Sequence, residues 1–378
     1  MLHRRGWLRR TSAAAVGSFA PFLTLAQPGK SAQSTGPLAI VQIADMSAAQ
    51  QDVSRDFLTG SRAAWQEINV RGGLKGRRIQ HTVIETDGSA AALSSALTTA
   101  KDNPACVALA GTVSDPLAQS VAQALALDAT PLAHIAPWLQ TDGFEADNRT
   151  LCVFASRTEQ IEHALKSLSV MGMTEVGAVY AGTTEYSLYR ADIERSCKTL
   201  KLRAKHFQNG SELTAVGRTM APGTPAVLLF LGGTPELVQF TQGLETQSRQ
   251  RYIVAMADVN LQTLLQMGAA RKTPVIATQV VPVTSASLPV VRAYRESLLK
   301  YFDEAPTAIS LAGYISARVG YEILSSVDGS ITRASVRAAA MQMSNLDVGG
   351  YRVAYANHRR TSAYVTQSML TADGRVLG

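Results

Sequence analysis

The segment Ile68–Arg78 reads INVRGGLKGRR and joins an amphipathic helix to an apolar strand, Ile79 to Glu85. Gly72 and Gly73 can adopt the left-handed conformation that ends a helix, and Gly76 can turn the chain into the strand. A dinucleotide-binding loop has glycines spaced GxGxxG directly after a strand. The spacing here is GGxxG and it follows a helix, so the sequence argues against a dinucleotide site.

Outward from this segment, strands and helices alternate along most of the chain. The units are about thirty residues long, which predicts parallel sheets covered by helices. The alternation restarts after Phe154–Thr158, so we expect two sheets. A chain of 378 residues, 46% of them apolar, is long enough for two domains. The C-terminal part instead has three amphipathic helices, Leu288–Phe302, Ile309–Leu324 and Arg333–Met343, and then two strands, Arg352–Ala356 and Tyr364–Met369.

The N-terminal segment has the features of an export signal. Arg4 and Arg5 open RRGWLR, which is similar to a twin-arginine signal. The apolar run Thr11–Leu25 is shorter than the ~20 residues that span a membrane, which argues against an anchor. Small residues at Thr24 and Ala26 favour cleavage after Ala26. We therefore expect a signal peptide at residues 1–26, a disordered leader at residues 27–36, and a mature protein in the periplasm.

The formal net charge of +7 does not describe the rest of the chain. Four of the 36 basic residues lie within residues 1–26, namely Arg4, Arg5, Arg9 and Arg10, and the first acidic residue is Asp45. The remaining basic residues are scattered and nearly balance the 29 acidic ones. Nucleic-acid binding leaves a basic patch, so we expect no nucleic-acid partner.

The reactive residue types form no catalytic or metal-binding pattern. Cys106, Cys152 and Cys197 form no CxxC motif, and none pairs with a histidine at metal spacing. We expect buried free thiols, although a Cys106–Cys152 disulfide stays open. No GxSxG, P-loop or HExxH motif occurs, and His134 is interpreted as a hydrogen-bonded core residue. The sequence therefore predicts no enzyme, no metal and no cofactor.

Several segments resemble, in order and spacing, the leucine/isoleucine/valine-binding family, which comprises the type I periplasmic solute-binding proteins of ABC transporters. The resemblance covers roughly Pro37 to Leu377. It is carried by INVRGGLKGRR, VFASRTEQIEHAL, FLGGTPELVQF, TQVVPVTSASLPVVRAYRESL, SLAGYISARVGYEIL and DVGGYRVAY.

The resemblance implies an α/β, two-lobed periplasmic-binding-protein type I fold. Each lobe would be a mostly parallel sheet flanked by helices, and the chain would cross the hinge three times. Lobe 1 would comprise residues 37–155 and 283–348, and lobe 2 residues 156–282 and 349–378. The ligand would lie between the lobes, at the carboxyl ends of strands.

In lobe 1, the resemblance points to the loop that carries Thr112, Ser114 and Asp115, with Met46 as a further part of the cleft wall. Relatives that bind amino acids place a serine or threonine near Asp115, where it holds the ligand carboxylate. Here an acidic residue stands at that point, and two like charges at ~4 Å repel by about 4 kcal/mol at an effective dielectric of 20. Either Asp115 caps the following helix, or the ligand presents a donor to it.

The second lobe 1 loop is Pro137–Gln140. Relatives carry small residues and a threonine there, whereas Trp138 and Leu139 offer apolar surface and Gln140 offers one donor and one acceptor. The indole suits stacking on a flat ligand. The alternative is that Trp138 packs beneath the loop.

In lobe 2, Tyr186 stands where the family has a tyrosine that covers the ligand. Thr234 stands where relatives place another aromatic, although it also suits the cap of the next helix. Asp258 lies near the family's acidic partner for the ligand ammonium, or it caps a helix.

The sequence thus predicts an exported receptor that acts as a monomer. It would capture a small organic molecule, aromatic or a non-standard carboxylate or amino-acid-like compound, and deliver it to an ABC-transporter permease in the inner membrane. The departures at Asp115 and Pro137–Gln140 argue against a free aliphatic α-amino acid. The alternatives are a ligand sensor on the same two-lobed fold, against which the export signal argues, and an exported α/β enzyme.

Overall fold

The structure, a computed structural model, describes residues 37–144, 148–207, 212–269, 272–357, 359–362, 364–371 and 375–377. The predicted signal peptide, residues 1–26, and the leader, residues 27–36, lie outside these residues. Of the helices in the described ranges, none is both long and apolar enough to cross a membrane.

The GGLKG segment ends a helix as predicted. Gly73 has a φ of 66°, and its amide donates to the carbonyl of Ile68 at 2.9 Å. A Cβ on Gly73 would lie 2.1 Å from the carbonyl oxygen of Arg77, so a side chain cannot fit there. Only glycine combines this backbone conformation with such a close approach.

The first sheet has five parallel strands in the order β2-β1-β3-β4-β5. Its strands are β1 (Leu38–Asp45), β2 (Ile79–Thr86), β3 (Cys106–Ala110), β4 (Ala133–Ile135) and β5 (Thr150–Leu151), and its helices are α1 (Gln51–Val70), α2 (Ala90–Asp102) and α3 (Asp115–Ala126). We call this sheet and the helices that cover it lobe 1.

The second sheet begins after α4 (Arg157–Val170). Its order is β15-β14-β10-β9-β8-β6-β7, and the strands from β10 to β7 are parallel. These elements, which we call lobe 2, are β6 (Glu175–Tyr180), α5 (Thr183–Leu200), β7 (Arg203–Phe207), α6 (Leu213–Arg218), β8 (Val227–Leu231), α7 (Thr234–Leu244), β9 (Tyr252–Ala255), α8 (Leu261–Gln266) and β10 (Val275–Gln279).

The C-terminal part serves both lobes. Helices α9 (Pro289–Tyr301), α10 (Ala308–Ser325) and α11 (Arg333–Met341) return to lobe 1, followed by β11 (Asn345–Val348), β12 (Tyr351–Ala356) and β13 (Arg359–Arg360), which form a small third sheet. Strands β14 (Thr366–Leu370) and β15 (Val376–Leu377) then extend the second sheet antiparallel.

Both large sheets are buried on two faces, as the alternation predicts. In lobe 1, α1, α9 and α10 cover one face and α2 and α3 the other. In lobe 2, α6 to α8 cover one face and α4 and α5 the other. The lobe boundaries and the three crossings expected from the sequence stay predictions. Tyr351 and Val353, which that expectation assigns to lobe 2, pack in the lobe 1 core.

His134, the centre of β4, lies in the core but departs from the expected hydrogen-bonded state. Its side chain is fully buried, and neither ring nitrogen has a hydrogen-bond partner among the described residues. Burial lowers the pKa of this imidazole to about 3, so the ring is neutral at physiological pH.

Candidate functional site

A cavity of about 570 Å³ lies between the lobes. Its lobe 1 wall comes from residues that follow β1 and β3, including Gln50 and Asp115. Its lobe 2 wall comes from residues that follow β6, β8 and β9, including Gly182, Gly233 and Asp258. These are the carboxyl ends of parallel strands, where open α/β sheets hold their ligands. The volume suits a small organic molecule.

A larger cavity of about 870 Å³ lies elsewhere, against the edge strand β2, and is lined by Trp65, His81 and Tyr301 among others. Its lining comes from lobe 1 alone and lies away from the carboxyl ends of the strands. We therefore take the smaller cavity between the lobes as the candidate ligand site.

Asp115 lines the candidate cavity, but it does not cap α3. Ser114 is the N-cap, and its Oγ accepts a hydrogen bond from the amide of Leu117 at 3.3 Å. The carboxylate of Asp115 instead accepts from the amides of Gln140 at 2.7 Å and Thr141 at 3.1 Å, and from the Thr141 hydroxyl at 2.9 Å. The prediction of a cap was wrong by one residue, and Asp115 fastens the second lobe 1 loop.

Burial raises the pKa of Asp115, and the nearby guanidinium of Arg157 opposes that rise. The side chain presents only carboxyl oxygens to the cavity, and the loop uses them as acceptors. Asp115 therefore cannot provide the hydroxyl donor that a ligand carboxylate needs at this point.

Trp138 lies behind the cavity and not on its wall. Its side chain is 2% exposed and packs against Phe57, with ring centroids 5.8 Å apart, and Phe154, at 5.3 Å. Its Nε1 donates to Asp258 Oδ1 at 3.1 Å. The stacking role predicted for the indole does not fit this geometry, because core side chains cover the ring.

The next two residues are also buried. Leu139 packs with Ala118 and Cys152. Gln140 donates from its Nε2 to Asp258 Oδ1 at 2.6 Å and accepts from Gln160 Nε2 at 2.6 Å. Trp138 and Gln140 thus connect lobe 1 to lobe 2 through one carboxylate.

Asp258 is the centre of this connection. Besides Trp138 and Gln140, it forms a salt bridge with Arg157, whose side chain is 7% exposed. Burial lowers the pKa of Arg157, but the negative charge of Asp258 reverses this and leaves the pKa raised. The alternative role as a helix cap is wrong, because Asn260 caps α8. Sequence reasoning missed Arg157, although the segment VFASRTEQIEHAL contains it.

The predicted lobe 2 residues other than Asp258 do not reach the cavity. Tyr186 is half-buried against Tyr180, with centroids 5.1 Å apart, and Arg190 lies 5.2 Å over its ring. Tyr189, one helical turn further on, lines the cavity instead. Thr234 is buried and accepts from the amide of Asn260 at 2.9 Å. Gly233 is the cap of α7, so the cap predicted at Thr234 was also wrong.

The predicted lobe 1 residues that remain are structural in this arrangement. Thr112 is fully buried, and its carbonyl accepts from the amide of Trp138 at 2.7 Å. Met46 is half-buried and packs against the lobe 1 core. Of the residues predicted from the sequence, the structure places Asp115 and Asp258 on the cavity wall.

A further hydrogen bond joins the lobes, from the side chain of Asn260 in lobe 2 to Asp56 Oδ2 in α1, at 3.0 Å. Within lobe 1, the Thr307 hydroxyl donates to the same oxygen at 2.8 Å. Burial raises the pKa of Asp56, which these hydrogen bonds oppose. The structure therefore holds the lobes together with polar contacts, which exchange readily with water when they separate.

Two further observations concern chemistry at the site. Cys106, Cys152 and Cys197 are buried thiols outside any disulfide, so the Cys106–Cys152 disulfide that the sequence left open is not formed. Among the described residues, no three His, Cys, Asp or Glu side chains cluster in a way that could hold a metal ion.

The sequence profile described as periplasmic binding protein matches residues 37–374 of this chain. The chain belongs to this family. The predicted resemblance to the leucine/isoleucine/valine-binding proteins is confirmed at the level of the fold, because solved structures of such proteins share the fold over nearly the whole chain. No curated protein matches the chain in sequence.

The similar structures share the fold at low identity. An extracellular ligand-binding receptor from Verminephrobacter eiseniae ef01-2 has a TM-score of 0.82 and 19% identity, covering 91% of this chain and 100% of that one. The leucine binding protein LivK from Thermotoga maritima MSB8 has a TM-score of 0.75 and 16% identity, covering 90% and 97%. A fatty acid ABC transporter substrate-binding protein from Thermomonospora curvata has a TM-score of 0.75 and 14% identity, covering 89% of both chains.

Proposed function

We propose that this chain is an exported receptor that captures a small organic molecule between its lobes and delivers it to an ABC importer. The observation that carries the proposal is the cavity of about 570 Å³, lined by both lobes at the carboxyl ends of their strands. A molecule held there contacts both walls at once. It therefore stabilises the arrangement in which the lobes are together.

The proposed cycle needs no covalent step. Without ligand, the lobes separate by breaking the hydrogen bonds of Asp258 with Trp138 and Gln140, and that of Asn260 with Asp56. With ligand, these contacts form again and close the cavity. The joined outer surface of both lobes then binds the permease in the inner membrane.

Location and assembly are part of the same proposal. The signal peptide at residues 1–26 directs export and is removed, and the mature chain works in the periplasm as a monomer without a cofactor. Membership of the periplasmic binding proteins supports this location.

A thermal-unfolding screen over amino acids, amines, aromatic acids and small carboxylates tests the proposal. A ligand at 100 times its dissociation constant adds about 2.7 kcal/mol of stability. We expect at least one compound to raise the unfolding temperature of ligand-stripped protein, and that gain to shrink in Asp258→Asn. The absence of any stabilising compound in a broad screen would contradict a receptor function.

A further inference from the structure

Three helices that begin at the cavity carry an acidic residue in their first turn. They are α3 with Asp115, α5 with Glu185 and α7 with Glu236, and all three side chains line the cavity. A helix N-terminus offers free N–H groups and partial positive charge, which suit an anion. Here the chain supplies its own carboxylates at these points.

The two glutamates occupy matching positions in a repeated motif. Gly182–Glu185 reads GTTE after β6 and Gly233–Glu236 reads GTPE after β8, and these strands are neighbours in the sheet. In both, glycine caps the helix and the glutamate folds back toward it. A Cβ built on Gly182 would lie 3.1 Å from Glu185 Oε2, and one on Gly233 would lie 3.0 Å from Glu236 Oε2. Each carboxylate thus lies where an anionic ligand group would otherwise bind.

Positive charge on the cavity wall is already paired. Arg157 is the one basic residue among the described residues that line the cavity, and its guanidinium forms a salt bridge with Asp258. The lobe 1 wall adds no positive charge, because its polar residues include Gln50 and Gln119 and its charged residue is the acidic Asp115. A ligand carboxylate would find no unpaired positive charge here, whereas a ligand cation would find two half-buried carboxylates.

We propose that the ligand is an organic cation without a carboxylate, an amine or a guanidine, and that Glu185 and Glu236 bind its charged group. The inference rests on the proposed receptor function and assigns the ligand class of the same cavity. Tyr189, also on the wall, adds an aromatic ring on which the carbon part of the ligand packs. Binding to two carboxylates weakens as salt rises, because part of it is electrostatic.

Related probes that keep or lack one charged group test this inference. Isopentylamine is leucine without its carboxylate, 4-methylpentanoate is leucine without its ammonium group, and agmatine is arginine without its carboxylate. Calorimetry at low salt on the ligand-stripped exported protein should show isopentylamine or agmatine binding at least tenfold more tightly than its carboxylate-bearing counterpart. A charged hydrogen bond contributes about tenfold to a hundredfold in affinity, so Glu185→Gln and Glu236→Gln should each weaken amine binding by about that factor.

The matched control is Glu162→Gln combined with Glu296→Gln. These glutamates are exposed on α4 and α9, outside the cavity, so this variant loses two carboxylates yet should bind the amine as the wild type does.

Tighter binding of a carboxylate-bearing probe, or no binding of either cation, would overturn the inference. In that case a compound of another class that still stabilises the protein would leave the receptor function intact. If no compound of any class stabilises the protein, the receptor function fails as well.

Discussion

At the scale of single residues, Asp258 determines how the two lobes meet. One carboxylate accepts hydrogen bonds from Trp138 and Gln140 of lobe 1 and pairs with Arg157 of lobe 2. A buried charge is tolerated only when its partners are in place. The Asp258 carboxylate therefore balances the charge of Arg157 and also accepts the hydrogen bonds from the two lobe 1 side chains.

Replacing Asp258 by Asn should destabilise the protein strongly, because Arg157 is left buried without a counter-charge. Breaking a buried pair costs about 3–5 kcal/mol, which urea unfolding measures directly. Glu194→Gln breaks the exposed pair with Arg190 and is the matched control, with a much smaller expected loss. Equal losses in the two variants would show that the Arg157–Asp258 pair is not a buried pair in solution.

His134 should make the protein less stable in mild acid. Its pKa is about 3 in the folded protein and near 6.5 when exposed, so the unfolded chain binds more protons as pH falls. Above about pH 6.5 the imidazole is neutral in both states, so His134 does not change the free energy of unfolding with pH. Below that pH the free energy of unfolding falls by about 1.4 kcal/mol per pH unit, until the pH reaches the folded pKa.

His134→Leu removes this titration and keeps an apolar volume of similar size. We expect a flatter stability profile between pH 6.5 and pH 4 than in the wild type, measured by urea unfolding at each pH. His81, whose pKa burial lowers to about 4, keeps part of the slope in both proteins. Identical slopes would mean that His134 has access to water or to a partner.

A free aliphatic α-amino acid should bind poorly. Its carboxylate would meet Asp115, Glu185 and Glu236, and neither carboxylate oxygen would find an unpaired positive charge, because Arg157 is already paired with Asp258. Each lost bond to a charged group costs about 1.5–3 kcal/mol, so two losses weaken binding by roughly two to four powers of ten. Calorimetry with leucine, isoleucine and valine measures this directly. Micromolar binding of any of them would contradict the assignment of these carboxylates to the cavity wall.

At the scale of secondary-structure elements, local patterns determine most of the fold. The alternation of apolar runs predicted the β–α order, and GGLKG predicted the end of α1, because both depend on neighbouring residues. The residue at which each helix begins was predicted less accurately. Ser114 and Gly233 cap where Asp115 and Thr234 were expected, because several adjacent residues can each serve as a cap.

The candidate site could be predicted only in part. Its position at the carboxyl ends of strands follows from the fold class, and Asp115 and Asp258 were identified as part of it. The loop Trp138–Gln140 was misplaced because its partner, Asp258, lies 120 residues further along the chain from Trp138. The spacing of neighbouring residues in the sequence does not predict a contact between residues so far apart. The sequence contains both GTTE and GTPE. The structure adds that β6 and β8 are neighbouring strands, so the two motifs lie next to each other at one edge of the sheet.

The turn at Gly73 should tolerate no side chain. Gly73→Ala places a Cβ 2.1 Å from the Arg77 carbonyl oxygen in a left-handed conformation, which costs about 1–3 kcal/mol from the backbone alone. Gly72→Ala is the control, because a Cβ there meets nothing within 4 Å although its φ is also positive. Urea unfolding should show the larger loss for Gly73→Ala. Equal effects would mean that the segment takes another conformation.

At the scale of the whole molecule, the proposed receptor function requires two lobes that separate and rejoin. The contacts that bridge them around the cavity are mainly polar, namely those of Asp258 with Trp138 and Gln140, and that of Asp56 with Asn260. Water can replace each partner when the lobes separate, so we expect the joined state to predominate when a ligand adds contacts to both walls.

Small-angle X-ray scattering of ligand-stripped protein, with and without a saturating stabilising compound, tests closure most directly. We expect the ligand-free protein to have a larger radius of gyration than this structure, and the bound protein to match this structure. A compound that does not shift the unfolding temperature is the control and should leave the radius unchanged. An unchanged radius of gyration at saturation with a stabilising compound would contradict closure of the lobes on the ligand.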